Sequence, residues 1–353
     1  MREFTRQLKQ EALRIGFHMV GVATAAPTMF YEEYNEWLAQ GMHGTMDYLA
    51  RNLEKRLDSR LLLDGTGRSI VMVGVNYYSD LQEGPETPVG VPGAGVIARY
   101  ARGDDYHDVV LAALRELERW VRERHPTANS RCYVDTGPLL ERETAQRAGL
   151  GWVGKHTLLI NRDWGSYFFL GALVTSLELE PDQEAQEHCG TCTRCIDACP
   201  TGAITAPYTL DARRCLSYLT IEQKDVIPSE YLQAVSALPS RIFGCDICQE
   251  VCPFTKRFSR PTTWPEFTSR IQSGSMQLIP ILDCFEDEFR VQFRGSAVKR
   301  AKLRGLQRNA TAALYGSSNA GTEEILQRTT VAHNEDVVRQ EAAIVLSARH
   351  AAE

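Results

Sequence analysis

The stretch that decides the fold reads Cys189-Gly-Thr-Cys192-Thr-Arg-Cys195-Ile-Asp-Ala-Cys199-Pro200, and a second one, Cys245-Asp-Ile-Cys248-Gln-Glu-Val-Cys252-Pro253, follows it. The first is C-x2-C-x2-C-x3-C-P, the spacing with which bacterial-type ferredoxins hold iron–sulfur clusters. The second is the same run without its first cysteine, because Ile242 occupies that position. A cubane cluster has four irons, each needing one thiolate. Three cysteines two residues apart wrap three corners in one tight loop, and the fourth, before a proline, points away to the other cluster. On this count the first cluster takes Cys189, Cys192, Cys195 and the crossing Cys252. The second takes Cys245, Cys248 and the crossing Cys199, and is one ligand short. Cys215 is the nearest spare thiol and lies between the runs, so it is assigned as the eighth ligand. Two [4Fe–4S] clusters are expected. A zinc site would use four ligands and has no need of the x3-C-P tail. Of the ten cysteines, Cys132 and Cys284 are left over and read as buried small hydrophobes.

Outward from these runs, the chain has 353 residues, enough for two or three domains. Hydrophobic residues make up 43% and charged residues 24%, ordinary values that exclude disordered and fibrous classes. Thirty-nine basic against 45 acidic residues give a net charge of −6, so any nucleic-acid site must be local. In MREFTRQLKQEALRIGF, Phe4, Leu8, Ala12 and Ile15 share one helical face and charges fill the other, which is not a signal peptide. The most apolar stretch, Tyr167 to Leu177, is about half the length that crosses a bilayer. A cytoplasmic location with no membrane partner is expected, and there clustered cysteines mean metal or redox chemistry.

Residues 1–180 alternate strand and helix patterns. Ser69 to Tyr78 reads as a buried strand, Arg131 to Asp135 as a short one, and Tyr167 to Leu179 as a third. Val109, Val110, Ala113, Leu114, Leu117 and Val121 recur at helical spacing between Asp105 and Arg124. The domain is α/β or α+β. No G-x-G-x-x-G or G-x4-G-K-[ST] is present, and the glycines from Val89 to Gly95 read as a loop. Residues 181–260 hold the cluster ligands with little periodicity, so metal supplies their core. Pro261-Thr-Thr-Trp-Pro265 reads as a linker. Helices follow over 297–314, 322–333 and 335–349, the last with Asn334 as N-cap. They suit a HEAT-like fragment or a plain helical subdomain. The fold class is therefore α+β multidomain, divided 1–180, 181–260 and 261–353. Between Phe289 and Gly321 stand Arg290, Arg294, Lys299, Arg300, Lys302, Arg304 and Arg308 with no acidic residue. Such a run suits a phosphate backbone, and competes with a merely solvated helix face. A plain electron carrier needs neither the large first domain nor the basic tail. A redox enzyme holding a substrate or second cofactor in its first domain fits better. Flavin, a corrinoid and direct cluster chemistry all remain open on residues alone.

The phrases Arg99-Tyr-Ala-Arg-Gly-Asp-Asp-Tyr-His107, Tyr133-Val-Asp-Thr-Gly-Pro138 and Gly151-Trp-Val-Gly-Lys-His-Thr-Leu-Leu-Ile160, with the two cluster runs, resemble the bacterial epoxyqueuosine reductases over essentially the whole chain. The resemblance implies a cobalamin-dependent oxidoreductase that reduces the epoxide of epoxyqueuosine, at the wobble position of a tRNA anticodon, to queuosine. It implies an α/β cobalamin-binding domain akin to that of reductive dehalogenases, a two-cluster ferredoxin-like domain and a C-terminal HEAT-like domain that helps hold tRNA. It also implies the two [4Fe–4S] clusters and a base-off cobalamin. The reaction needs two electrons, passed singly through the clusters, and a proton for the leaving oxygen. The resemblance places that acid at Asp135, which the residues alone also allow as a turn cap; a donor near neutral pH requires a raised pKa, which burial would provide. Cobalamin contacts are expected at Arg56, Tyr100, Asp135, His156, Thr157, Phe169 and Gly171, with Ser217 and Gln223 beyond Cys215. The family usually reads Gly-Lys-Asn-Thr where this chain has Gly154-Lys155-His156-Thr157, and a peripheral contact is preferred for His156 over a bond to cobalt. The partners implied are the tRNA and an external electron donor such as a flavodoxin or ferredoxin, with the enzyme a monomer. The alternatives are a corrinoid- or flavin-dependent reductase of a small molecule, or a non-catalytic iron–sulfur carrier.

Overall fold

The computed structural model describes residues 1–79, 93–271, 274–319 and 321–352. Its strands are β1 Met19–Thr24, β2 Ser69–Asn76, β3 Ala94–Ile97, β4 Ser130–Tyr133, β5 Trp152–Val153, β6 Leu159–Ile160, β7 Phe168–Thr175, β8 Ile204–Ala206, β9 Thr209–Leu210, β10 Ser240–Phe243 and β11 Ser275–Gln277. The first sheet runs β1-β2-β7-β4, and every pair in it is antiparallel. All eight residues of β2 are buried, because the sheet is covered on both faces. One face meets the Tyr106–Arg124 helix, whose Val110, Leu114, Leu117 and Val121 form the buried stripe that its periodicity required. Burying those four side chains contributes on the order of 6–12 kcal/mol before entropy is counted. The other face packs on Leu62, Leu63, Ala145 and Leu150. Of the α/β and α+β readings of this domain, the antiparallel sheet fits α+β and not α/β. The apolar 167–177 stretch is central strand β7, and among the described residues no helix is long and apolar enough to cross a membrane.

The core does not divide at 180 and 260. A second sheet, β10-β3-β11, takes one strand from each expected domain. Its core joins Ile97, Leu216, Leu219, Ile242 and Phe243 to Leu303, Leu306, Ala342 and Val345. Ile242, at the vacant cysteine position of the second run, lies in β10 with no exposed surface. A Cβ on Gly95 would strike its side chain. Position 242 is core, which is why the second run carries an apolar residue there.

The expected linker is packed down: Thr262 Oγ1 donates to Asn76 O at 2.6 Å, and Trp264 Nε1 donates to Gly16 O at 2.9 Å. Val89 to Pro92 lie outside the described residues, while Gly95 belongs to a strand rather than the expected loop. At the C-terminal end a 3-10 turn, Ala297–Ala301, precedes the Lys302–Ala313 helix, and Thr322–Ala332 packs on Asp336–Ala352. The last helix starts one residue later than an Asn334 cap requires, since Glu335 O accepts from Val338 and Arg339 N–H.

Candidate active site between the two cluster loops

Asp135 lies just past β4, in a turn pinned at several points. Its φ is 57°, a left-handed value that Asp tolerates better than most residues. A Cβ on Gly137 would strike the Tyr133 ring, so glycine is required there. The Asp135 N–H donates to Glu141 Oε1 at 2.7 Å. The Tyr106 hydroxyl donates to Asp135 Oδ2 at 2.7 Å. His107 Nε2 lies 3.6 Å from the same oxygen, and its Nδ1 lies 2.8 Å from Asp105 Oδ1. Asp105 also caps the helix that carries both residues, accepting from the His107 N–H at 3.1 Å. Phe169 in β7 stacks on Tyr106 at 4.3 Å with the rings 3° from parallel.

These contacts set the charges. Burial pushes the His107 imidazole down, but Asp105 and Asp135 prevail and raise its pKa to about 9, so it is protonated at neutral pH. The surrounding walls push the Asp135 carboxyl up, yet His107 and Tyr106 outweigh them and hold it below its ordinary value. This corrects the expected raised pKa: the side chain is 64% exposed and has a cation beside it. Burial, then the charge of Asp135, raises the Glu141 carboxyl to about 8. The proton that a donor needs near neutral pH is therefore stored on His107 and Glu141.

The second cysteine run approaches this group through Tyr100, whose ring lies 6.1 Å from that of Tyr106 and 6.1 Å from that of Phe243, two residues before Cys245. Asp246 accepts from the Arg99 N–H at 2.8 Å, and Arg99 and Arg241 each meet Glu250 at 3.0 Å. On the other side, Lys155 Nζ donates to Gly190 O at 2.6 Å and Cys192 O at 3.1 Å. Trp152 packs against Cys189 and Cys252.

The thiols sort into two neighbourhoods. Burial raises the Cys195 thiol to about 11, with Cys189 and Cys252 adding to it. Burial raises Cys245 to about 12, with Cys215 adding to it, and Cys215 also feels Cys199. Burial, Cys245 and Cys215 raise Cys248. Cys195 of the first run also raises Cys248, so the two neighbourhoods adjoin, and Cys215 stands with Cys245, Cys248 and Cys199. Among the described residues no three metal-binding side chains converge on a single-ion site; cubane ligands sit on separate corners.

The remaining expected contacts fall into two kinds. His156 is 3% exposed; burial lowers its pKa to about 4, and its Nδ1 accepts from the Leu158 N–H at 3.1 Å. The neutral ring thus carries its proton on Nε2, which has no partner. A bond from Nε2 to a metal would need the other tautomer, setting Nδ1–H against the Leu158 N–H. Thr157, at φ 66°, has its carbonyl held by Arg142 Nη1 at 2.9 Å. Arg56 Nη2 donates to Tyr48 O at 3.2 Å, while its buried Nε is unpartnered. Ser217 is half-buried beyond Cys215, and Gln223 Oε1 accepts from the Tyr218 hydroxyl at 3.1 Å. Two contacts are corrected. Phe169 supports Tyr106 from the core, and a Cβ on Gly171 would meet Leu114, Val110 and Val73. Both serve packing between β7 and the helix.

Of the basic run, Arg294, Lys299, Lys302 and Arg304 are exposed and form no ion pair among the described residues. Arg290 pairs with Glu286 at 3.2 Å. Arg300 pairs with Glu222 at 3.0 Å, and its guanidinium sits 5.7 Å from the Tyr48 ring centroid. Lys299 is close enough to Asp105 to join His107, the larger cause, in lowering that carboxyl. Arg308 is corrected: it is 1% exposed and donates to Leu219 O at 2.6 Å, Gln223 O at 2.7 Å and Asp225 O at 2.6 Å. It cannot face a phosphate. Residue reasoning missed Tyr106, His107, Glu141, Trp152 and Lys155. The signal for the first two was present: Asp-Tyr-His at a helix start puts a cap, a phenol and an imidazole on one turn.

Two family models match the chain, the 4Fe-4S double cluster binding domain over 188–255 and epoxyqueuosine reductase QueG, DUF1730, over 56–136. An epoxyqueuosine reductase of Cellulophaga algicola is 39% identical over 306 residues, covering 86% of this chain and 95% of that protein. That of Escherichia coli is 39% identical over 313 residues, covering 88% and 81%. A crystal structure of epoxyqueuosine reductase with an epoxyqueuosine-modified tRNA-Tyr stem loop superposes with a TM-score of 0.88 at 30% identity, covering 98% of this chain and 90% of that one. A Bacillus subtilis epoxyqueuosine reductase, with its catalytic aspartate loop swung out of the active site, superposes equally well, at 0.88 and 30% identity over the same shares.

Proposed function

The chain belongs to the epoxyqueuosine reductase family, and we propose that it removes the epoxide oxygen of epoxyqueuosine in a tRNA anticodon, with Asp135 as the group that hands over the proton. The observation that carries this reading is the Asp135 turn, tied to a protonated His107 and joined through Tyr106 and Tyr100 to the strand that leads into Cys245. Loss of the oxygen as water, leaving an alkene, takes two electrons and two protons.

Eight thiolates, Cys189, Cys192, Cys195 and Cys252 with Cys199, Cys215, Cys245 and Cys248, would hold two [4Fe–4S] clusters, which supply electrons one at a time. A base-off cobalamin, held by Arg56, Tyr100, His156 and Thr157 with Ser217 and Gln223 at the rim, would supply a strongly reducing cobalt centre. The fit rests on two unpartnered buried donors, Arg56 Nε and His156 Nε2, which suit the amide-bearing edge of a corrin. The His156 tautomer keeps its lone pair from the metal.

The chain's own residues then manage the protons. Tyr106 fixes Asp135 Oδ2, and Glu141 fixes the turn through the Asp135 N–H. His107 Nε2 gives its proton to Oδ2, and Asp135 passes it to the epoxide oxygen as the first C–O bond breaks; a second proton follows the same path once His107 is recharged from solvent, and the oxygen leaves as water when the second C–O bond breaks. Asp105 orients His107 from the other ring nitrogen. Arg290, Arg294, Lys299, Arg300, Lys302 and Arg304 bind the tRNA backbone, and Lys299 brings that strip to the edge of the catalytic group. A flavodoxin- or ferredoxin-type donor refills the clusters of a monomeric enzyme.

Asp135→Asn tests the reading. It should keep cobalamin and about eight irons, yet lose roughly 10²–10⁴-fold in turnover of epoxide-bearing stem loop. Native turnover in that variant would reduce Asp135 to a turn residue.

A further inference from the structure

We infer that the indole N–H of Trp152 donates a hydrogen bond to a sulfur of the first iron–sulfur cluster and thereby makes that cluster easier to reduce; this rests on the cluster assignment proposed above. Trp152 opens β5 in the Gly151–Ile160 hairpin of the catalytic half, outside both cysteine runs. Its ring is 1% exposed and its Nε1 meets no nitrogen or oxygen acceptor; the group the indole N–H acts on is the Cys189 thiol, whose pKa burial pushes up and the indole pulls part of the way back down. A buried tryptophan N–H is a pure donor and ordinarily finds an acceptor. The neighbours are Ile160, Phe254 edge-on at 4.8 Å, His188 edge-on at 5.0 Å, and the two thiols Cys189 and Cys252. Both thiols belong to the same ligand set. The acceptor offered by this packing is sulfur, either the Cys189 thiolate or a bridging sulfide of the loaded cluster.

A donor aimed at cluster sulfur withdraws negative charge. Reduction adds one electron, so the reduced, more negative cluster gains more from the donor than the oxidised one. The indole is buried, which strengthens the effect. The same hairpin carries Lys155, whose ammonium grips the Gly190 and Cys192 carbonyls, so the catalytic half holds this cluster loop at two points. Trp152 acts through the cluster and never touches the substrate; it is a positioning residue.

The experiment uses the full chain, reconstituted anaerobically. Trp152→Phe keeps an aromatic ring and deletes only the donor. Iron should stay at about eight per chain, by the four-per-cubane count. In an EPR-monitored redox titration, the reduced-to-oxidised ratio of the first cluster at its native midpoint should fall about tenfold, 59 mV for one electron. The second cluster should not move. An unchanged midpoint with full iron content would overturn the inference, and so would a His188→Ala variant that shifted the midpoint as far, since the N–H would then serve that ring. Pulsed EPR of the native reduced protein is independent of any variant. An exchangeable proton coupled to the first cluster, assigned by ¹⁵N-indole labelling to Trp152, is expected, and its absence refutes the bond. An iron content near four in the native chain would instead sink the two-cluster reading.

Discussion

Replacing Arg308 by lysine keeps the charge and removes the fork. In the native chain the guanidinium reaches three backbone carbonyls, Leu219, Gln223 and Asp225, at 2.6–2.7 Å, and the Asn309 Oδ1 as well. An ammonium on a flexible stem satisfies one or two of these acceptors, not all. At least two buried oxygens are then stranded, at roughly 1–3 kcal/mol each. A loss of about 3 kcal/mol follows, a large share of the stability of any domain. Leu219 lies in the Leu216–Ile221 helix that begins directly after Cys215, so the loss should appear first at the second cluster. The assay is urea denaturation under anaerobic conditions, followed by cluster absorbance and far-ultraviolet circular dichroism. Arg308→Lys should lower both midpoints, while the folded fraction binds tRNA with the native salt slope. A variant as stable as the native chain but with a flattened salt slope would refute the structural role and return Arg308 to the phosphate-binding set.

Cys215→Ala should lose one cluster, bringing iron from about eight to about four per chain, while Cys284→Ala should keep all of it; equal iron in both variants would remove Cys215 from the ligand set. His107 has its pKa raised from 6.5 to about 9, so its protonated form stabilises the fold fully below pH 6.5, and that contribution fades as pH rises through about 9. Turnover should fall across the same upper window, and in His107→Gln the alkaline limb set by the imidazole should be lost; superimposable pH profiles would exclude His107 from the proton path. Lys299→Glu with Lys302→Glu should weaken tRNA binding and flatten the log–log salt slope, each lost phosphate contact removing roughly 0.7–0.9 from it, with both clusters intact; unchanged filter-binding titrations would move the RNA site elsewhere.

The double-cluster domain was legible because the spacing of the two cysteine runs encodes it. Cys215 was proposed as the eighth ligand by counting, and Ile242, at the vacant position of the second run, is a core strand residue. The Tyr106–Arg124 helix was legible from its apolar stripe. The antiparallel order β1-β2-β7-β4 was not, since strands buried on both faces read as uniform apolar runs in either direction. Arg308 misled for a plain reason: one-dimensional charge counting cannot tell a solvent-facing arginine from one that closes a helix end. His107 and Glu141 were missed because their roles depend on Asp135, which meets them only after the sheet and the helix have packed.

The core that joins the cluster segment to the terminal helices bears on how such a chain can be inherited. Asn309 Nδ2 donates to Thr220 O at 2.7 Å and Ile242 O at 2.8 Å, and Glu341 accepts from the Ile227 N–H at 2.7 Å. The basic tail is therefore not a detachable module. A recombination event, or a protease cut, that removed everything after Arg294 would strip away 11 of the 27 buried residues described in the core that also holds Leu216, Leu219, Ile242 and Phe243. The cysteine-bearing segment and the terminal helices are bound to be gained, kept or lost together, and a shortened descendant retaining only the cysteine runs would need a new inner lining before it could stand alone.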